Sequence, residues 1–586
     1  MIDLIEYLCQ FRLKPAVKTV IWWLQLLIPI LIAVFFLFSV VTLDKEKPKA
    51  SACLGVTIIT ACWWIFEPIP IVITAFFPVF LLPLFGVSKG GDIASAMFSD
   101  TSLVFLGGFI FSTAMVRWNL HSRIALKTVL IFGLKPRVLL AGIMIVTAFL
   151  SMWISNTATA LTMVPNALAI VTKLEEITGD PVVVEPFSKS LFLAIAFSAS
   201  VGGMATLIGT PPNLILAQIA KSTFPQAPEI GFAQFLFVAL PTTVVIIVVM
   251  YLFFVFFYMR KLKMPEDVDE SAFRDNYEKL GPMKPAEKIV GLMFIILALL
   301  WLFRGNLSFG PSATLKGWAT LLLGSSGTKY ITDGTVAIAL AMLLFIIKVP
   351  QPNVEEEKKL IKEEVDLEIG HKPVEWNRNS DTELIGHEED ADGELLEEMT
   401  EEELLYIDPK SEPAKPWVAI LDWEYAQQKI PWTILFLFSG GFALNQGFTD
   451  SKLNVWMGDM LKGLGELNLF VLLLCVCFVT ALLSNIASNA ACANILFPVV
   501  AMIAQKAGKY HPWLLMIPCA FSTSTCFIMP VATPPNLVCY GSGRLVMKDF
   551  MIAGSILNVV SVFIVIGMSM ALVPAVFDAH EFPSWA

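Results

Sequence analysis

Long apolar runs separated by short polar turns dominate the chain. They fall at 20–42, 52–87, 102–116, 123–133, 137–150, 157–173, 189–220, 233–258, 288–304 and 331–348, then at 432–449, 469–487, 490–506, 512–540 and 553–577. Val20–Val41 and Phe235–Tyr258 are each long enough to cross a hydrocarbon core of about 30 Å as a helix. Several other runs are too short, or too rich in Gly and Pro, to be clean spans. Backbone in lipid must satisfy its hydrogen bonds internally, which leaves helices for runs of this kind. The pattern predicts an all-α polytopic membrane protein.

Composition agrees. Of 586 residues, 56% are apolar and 15% charged, with a mean hydropathy of +0.71, whereas soluble domains carry about 25% charge. The net charge of −10 is unevenly spread. Gln351–Lys410 holds 21 Asp and Glu against six Lys and Arg, a balance of −15, so the rest carries +5. This acidic stretch, with Glu355–Glu357 and Glu401–Glu403, is expected to be a disordered cytoplasmic linker, either a solvated tether or a partner-binding segment. It divides the chain into a first membrane half (1–350), the linker (351–415) and a second membrane half (416–586). Basic residues mark cytoplasmic sides: Arg12, Lys14 and Lys18 at the start, Arg260, Lys261 and Lys263 later, and Lys348 at the linker. That orientation puts the Asn306-Leu307-Ser308 sequon outside, close to the membrane. The N-terminal run lacks a small-residue cleavage site and is expected to stay in the membrane. Cysteines such as Cys475, Cys477 and Cys492 sit in apolar runs, where core packing is expected.

The two halves repeat each other. Phe105-Leu106-Gly107-Gly108-Phe109 returns as Phe438-Ser439-Gly440-Gly441-Phe442, and Ser155-Asn156 as Ser488-Asn489, both 333 positions on. Each Ser-Asn pair has a serine four residues earlier (Ser151, Ser484) and a proline ten residues after its own serine (Pro165, Pro498). Thr210-Pro211-Pro212-Asn213 returns as Thr533-Pro534-Pro535-Asn536. Interrupted apolar segments at matching places in two halves point to a carrier's binding site.

An anion in hydrocarbon must be paired or hydrogen-bonded. Backbone N–H groups at a broken helix supply partial positive charge, and short polar side chains add donors. The Ser-Asn tracts fit that role, because Ser and Asn favour helix starts over interiors; gluing packed helices together is the other role open to them. Ser151 and Ser155, and Ser484 and Ser488, have i, i+4 spacing, so each pair of oxygens, or the carbonyls beside them, is suited to one small hard cation. Two prolines stop a helix, so each Thr-Pro-Pro-Asn tract predicts an unwound stretch with a new helix near Asn213 or Asn536. Gly202-Gly203 and Gly209 allow close backbone approach. The Gly-Gly-Phe tracts look like re-entrant hairpins. Arg117 and Arg123 follow the first of them, able to attract an anion or to snorkel to the interface. The five histidines form no ligand cluster, and no His-Glu-x-x-His or Ser/His/Asp grouping is present, so no enzyme and no cofactor is expected.

At these residues the chain resembles the divalent-anion:sodium symporters, which include animal citrate and dicarboxylate carriers of the INDY type. Ser155-Asn156-Thr157 matches that family's Ser-Asn-Thr signature. The second copy reads Ser488-Asn489-Ala490, without the third hydroxyl. The likeness runs through Gly202-Gly203, Thr210–Asn213, Gly440–Leu444 and Pro530–Asn536 and covers nearly everything but the linker. It implies about eleven spans plus two re-entrant hairpins in inverted repeats, a homodimer, and elevator-type scaffold and transport domains. It also implies a secondary transporter of di- or tricarboxylates, coupled to sodium, in the plasma membrane. Ser155, Asn156, Thr157, Thr210, Ser488, Asn489 and Thr533 are then the substrate residues. Sodium would be held by Ser151, Asn156, Gly209 and Asn213, and by Ser484, Asn489, Ala532 and Asn536. Sodium-independent exchange and sulfate transport stay open, and an anion channel is the alternative of a different class.

Overall fold

The computed structural model describes residues 15–38, 43, 48–132, 135–261, 277–278, 280–308, 314–350 and 417–586. The acidic linker, and Arg12, Lys14 and Lys263 of the orientation argument, lie outside the described residues. Sixteen principal helices carry the fold: α1 (Pro15–Leu37), α2 (Pro48–Phe66), α3 (Asp100–Arg117), α4 (Pro136–Ser151), α5 (Asn156–Thr178), α6 (Pro181–Gly203), α7 (Pro211–Thr223), α8 (Phe232–Phe253), α9 (Pro285–Leu302), α10 (Asp333–Ile346), α11 (Trp432–Ser451), α12 (Leu469–Ser484), α13 (Asn489–Ala507), α14 (Pro512–Thr523), α15 (Pro534–Gly541) and α16 (Met547–Phe577). Eight described helical stretches are long and apolar enough to cross a membrane.

The shorter apolar helices include α4, α12 and α14. α4 and α12 have 16 residues each, about 24 Å at 1.5 Å per residue, short of a hydrocarbon core of about 30 Å. Both stop at the serine that precedes a Ser-Asn tract. α6 packs against both α4 and α5, and α14 packs against both α12 and α13. These inner helices form the centre of the molecule. Every residue from Ser190 to Val201 is fully buried, as are Leu515, Met516, Ile517 and Cys519–Thr523. A helix apolar around its whole circumference belongs in such a place. α1 shows the opposite, with Leu31 and Phe35 exposed on an outer apolar surface.

The Gly-Gly-Phe tracts are not re-entrant. They lie within the continuous helices α3 and α11, of 18 and 20 residues. Their glycines serve close packing: a Cβ at Gly107 would stand 2.6 Å from Ala337 Cβ on α10, and one at Gly440 would strike Ala75. The interruptions belong instead to the Ser-Asn and Thr-Pro-Pro-Asn tracts. Buried Cys53, Cys477, Cys492, Cys519, Cys526 and Cys539 pack the core, whereas Cys475 is exposed.

Two strands bracket the linker. β1 (Leu307–Ser308) and β2 (Thr314–Leu315) form one small pair beside the sequon, while β3 (Lys348–Pro350) and β4 (Trp417–Ala419) form another. In the second pair Lys348 faces Ala419 and Pro350 faces Trp417, antiparallel. Val349 and Ile420 are buried beneath it, and Trp118 Nε1 donates to the Ile420 carbonyl at 2.7 Å. Residues 351–416 therefore leave and re-enter the fold at neighbouring points. An antiparallel pair can be closed by a two-residue turn. Replacing 351–416 with Asn-Gly is expected to leave solute uptake per molecule within about twofold, since the pair already fixes both ends. Loss of uptake in that variant would show that the segment takes part in transport.

Candidate functional site

Four helix starts meet at one place. α5 begins after Ser155, whose Oγ accepts from Ala158 N at 3.2 Å; α13 begins after Ser488, whose Oγ accepts from Ala491 N at 3.3 Å. Both serines thus act as N-caps. α7 and α15 begin at the first proline of each Thr-Pro-Pro-Asn tract, two residues earlier than the asparagines at which the helix starts were expected. Proline suits that first position, where its missing N–H would be unpaired anyway. Thr210 and Thr533 precede these helices in extended conformation, at φ −145° and −144°.

Behind the helix starts lie two matching clusters of oxygen. Ser151 Oγ is 2.6 Å from Asn156 Oδ1 and 2.6 Å from the Ala199 carbonyl. Ser484 Oγ is 2.7 Å from Asn489 Oδ1 and 2.7 Å from the Thr523 carbonyl. One hydroxyl has one proton, so it cannot donate fully to both neighbours. With the amides turned this way, each cluster gathers an amide oxygen and a carbonyl around one hydroxyl proton. Ser151, Ser484, Asn213 and Asn536 are all fully buried. Asn213 Nδ2 donates to the carbonyls of Gly203 (3.2 Å) and Thr206 (2.7 Å), and Asn536 Nδ2 to those of Cys526 (3.1 Å) and Met529 (3.0 Å). Each asparagine spans its own break and leaves its Oδ1 buried without a partner among the described residues. The i, i+4 pairing of serines is not what the fold uses. A helix break separates Ser151 from Ser155, and Asn156 supplies the second oxygen instead.

In front of the helix starts is a cavity of about 350 Å³. Ser155, Asn156, Thr157, Gly209 and Thr210 line it from the first half, and Ser488, Asn489, Ala490, Ala532 and Thr533 from the second. Thr533 Oγ1 is buried there with no partner among the described residues. α3 and α11 contribute to the lining as well, as do Glu67 and Ile71. Among the described residues, no lysine, arginine or histidine lines it. Positive potential at this cavity comes from helix N-termini, each equivalent to about half an elementary charge.

Arg117 and Arg123 do not reach the cavity. Arg117 pairs with Asp422 and lies over the Tyr425 ring; Arg123 pairs with Glu287 and donates to the carbonyls of Gly281 (2.9 Å) and Leu280 (3.0 Å). Partial burial raises the Asp422 carboxyl, but the Tyr425 amide and the Arg117 guanidinium outweigh it and hold the group below the usual carboxylate range. Both arginines are structural staples. Among the lining residues that the sequence pattern did not single out are Trp153, whose buried Nε1 has no partner among the described residues, and Glu67, which stands at the end of α2. An acidic residue inside the 52–87 apolar block was the available signal for Glu67, since ionisable residues in such runs are rarely idle.

Fold and site together define an all-α polytopic membrane protein built from two copies of a double helix break. The family model described as the sodium:sulfate symporter transmembrane region matches residues 18–577, and the chain belongs to that family. It is 34% identical over 563 residues to solute carrier family 13 member 2 of Rattus norvegicus, covering 87% of this chain and 86% of that one. It is 31% identical over 586 residues to the Na(+)/citrate cotransporter of Rattus norvegicus (92% and 93%), and 31% identical over 507 residues to the sodium-dependent dicarboxylate transporter SdcS of Staphylococcus aureus (85% and 81%). Among solved structures, the Alcanivorax borkumensis YdaH transporter aligns with a TM-score of 0.50 at 14% identity, over 85% of this chain and 89% of that one. That likeness concerns the fold alone.

Proposed function

We propose that the protein is a secondary active transporter of di- and tricarboxylates, driven by sodium, and not an enzyme. The observation that carries this reading is the single cavity lined by both Ser-Asn tracts and both Thr-Pro-Pro-Asn tracts, with an oxygen cluster behind each pair. Ser155, Asn156, Thr157, Thr210, Ser488, Asn489 and Thr533 hold the anion through side-chain donors and helix-start N–H groups. Ser151, Asn156, Gly209 and Asn213 hold one sodium ion, and Ser484, Asn489, Ala532 and Asn536 the other. Neutral oxygens bind such an ion without trapping it, and its charge favours the amide orientation that turns Oδ1 toward the serine and the carbonyl. Because Asn156 and Asn489 each belong to an anion contact and a cation contact, occupancy of one favours the other; this is the coupling. The names of the relatives support the choice of carboxylate and sodium. The protein works as a homodimer in the plasma membrane, its halves 1–350 and 416–586 supplying one repeat each and the transport unit moving as an elevator against a fixed scaffold.

The test is uptake of labelled succinate and citrate into proteoliposomes, with and without an inward sodium gradient, and with sulfate as competitor. Accumulation is expected only with the gradient. Uptake that ignores sodium but needs internal carboxylate would make the protein an exchanger, and conductance without saturation would make it a channel.

A further inference from the structure

Among the described residues, Glu67 is the one ionisable side chain that lines the cavity. It is exposed, and no hydrogen-bonded or ion-paired partner engages its carboxylate among the described residues. Its backbone is held in the left-handed region at φ 50°, a conformation that a residue with a side chain adopts only when its surroundings over-determine it. They do so here. Glu67 N donates to the Trp63 carbonyl at 3.0 Å, and Trp22 Nε1 donates to the next carbonyl, that of Pro68, at 2.6 Å. The residue is thus fixed from α1 and α2 on the lining of the cavity.

A carboxylate on the wall of a site for carboxylates is an electrostatic oddity unless it has a task. It does not help to bind the anion. It repels every negative charge brought into the cavity, and a substrate with one more charge pays that repulsion once more. We infer that Glu67 is a charge-selectivity residue, which biases the cavity against the third carboxylate of a tricarboxylate. Cations held behind the helix starts attract both kinds of substrate and do not alter this bias in kind. A unit charge several ångströms away across partly wetted protein is worth about a tenfold ratio. The inference rests on the carboxylate-carrier reading above and names the residue that grades its substrates.

The experiment compares uptake of tricarballylate and succinate into proteoliposomes, at a fixed pH where every substrate carboxyl is ionised. Glu67→Gln is expected to raise the tricarballylate-to-succinate ratio about tenfold, and Glu67→Asp to keep it near that of the unaltered protein. An unchanged ratio in Glu67→Gln would overturn the inference while leaving the carrier assignment standing. Failure of the unaltered protein to accumulate either solute would instead bring down the carrier assignment and the inference with it. If Glu67→Gln does not fold, Glu67→Cys labelled after reconstitution with a small anionic or a small neutral thiol reagent switches the charge in the folded protein. The anionic label must then give the lower ratio, and equal ratios would reject the inference.

Discussion

Replacing Asn156 or Asn489 with alanine is expected to reduce uptake at least about a hundredfold, without removing the protein from the membrane. Each amide opens a helix, lines the cavity, and places Oδ1 beside a buried serine, at 2.6 Å for Ser151 and 2.7 Å for Ser484. Truncation removes one oxygen from the cation cluster and one donor from the anion. A hydrogen bond to a charged partner is worth about 1.5–3 kcal/mol, and two such losses together amount to at least a hundredfold. The fold should survive, because the capping serines at 155 and 488 stay in place. The measurement is initial uptake normalised to protein at the surface, repeated across sodium concentrations. Uptake at the original level in either variant would sink the site assignment.

Gly202→Ala is expected to be nearly as damaging, by a different route. An added Cβ would run into the backbone of Ala148, where α6 crosses α4, and backbone cannot swing aside as a side chain can. Overpacking of a tight interior costs about 1–3 kcal/mol or more. The strain falls a few residues from Ser151, so the first oxygen cluster would be displaced as well. The repeat supplies an internal control. The matching position in the second half is Thr525, which already carries a side chain, and Thr525→Ala should leave most of the uptake intact. Thermal stability in detergent together with sodium-dependent uptake would decide the matter; equal effects at the two positions would refute the packing argument.

Much of this was legible beforehand because the relevant residues break local rules. Two prolines in an apolar run, and Ser-Asn where a helix ought to continue, can be recognised without any knowledge of packing. Their recurrence in both halves anticipated that they would act together. What could not be read was which partners close each break. In the first half Thr206 Oγ1 donates to the Met152 carbonyl at 2.6 Å, tying one break to the other. In the second half the side chain of Asn485 does the equivalent work, accepting from Ile528 N at 2.9 Å. The tie joins matching places, since Asn485 stands 333 positions after Met152, but unlike residues make it and the side chain comes from the opposite side, so no repeated residue betrays it. The Gly-Gly-Phe tracts misled for a related reason. Glycine pairs signal close approach, but sequence alone does not say whether the approaching surface is a neighbouring helix or a turn of the same chain.

The two oxygen clusters are copies, yet they are not equally roomy. Around the first stand Gly202, Gly203 and Gly209; at the matching places around the second stand Thr525, Cys526 and Ala532. Cys526 Sγ itself lies 3.4 Å from Asn489 Oδ1. Side chains around the second cluster can be exchanged for others, whereas glycines in van der Waals contact with backbone leave nothing to exchange. One cluster is thus locked by its own closeness and the other open to variation. A change of ion preference between descendants would be written in the second half.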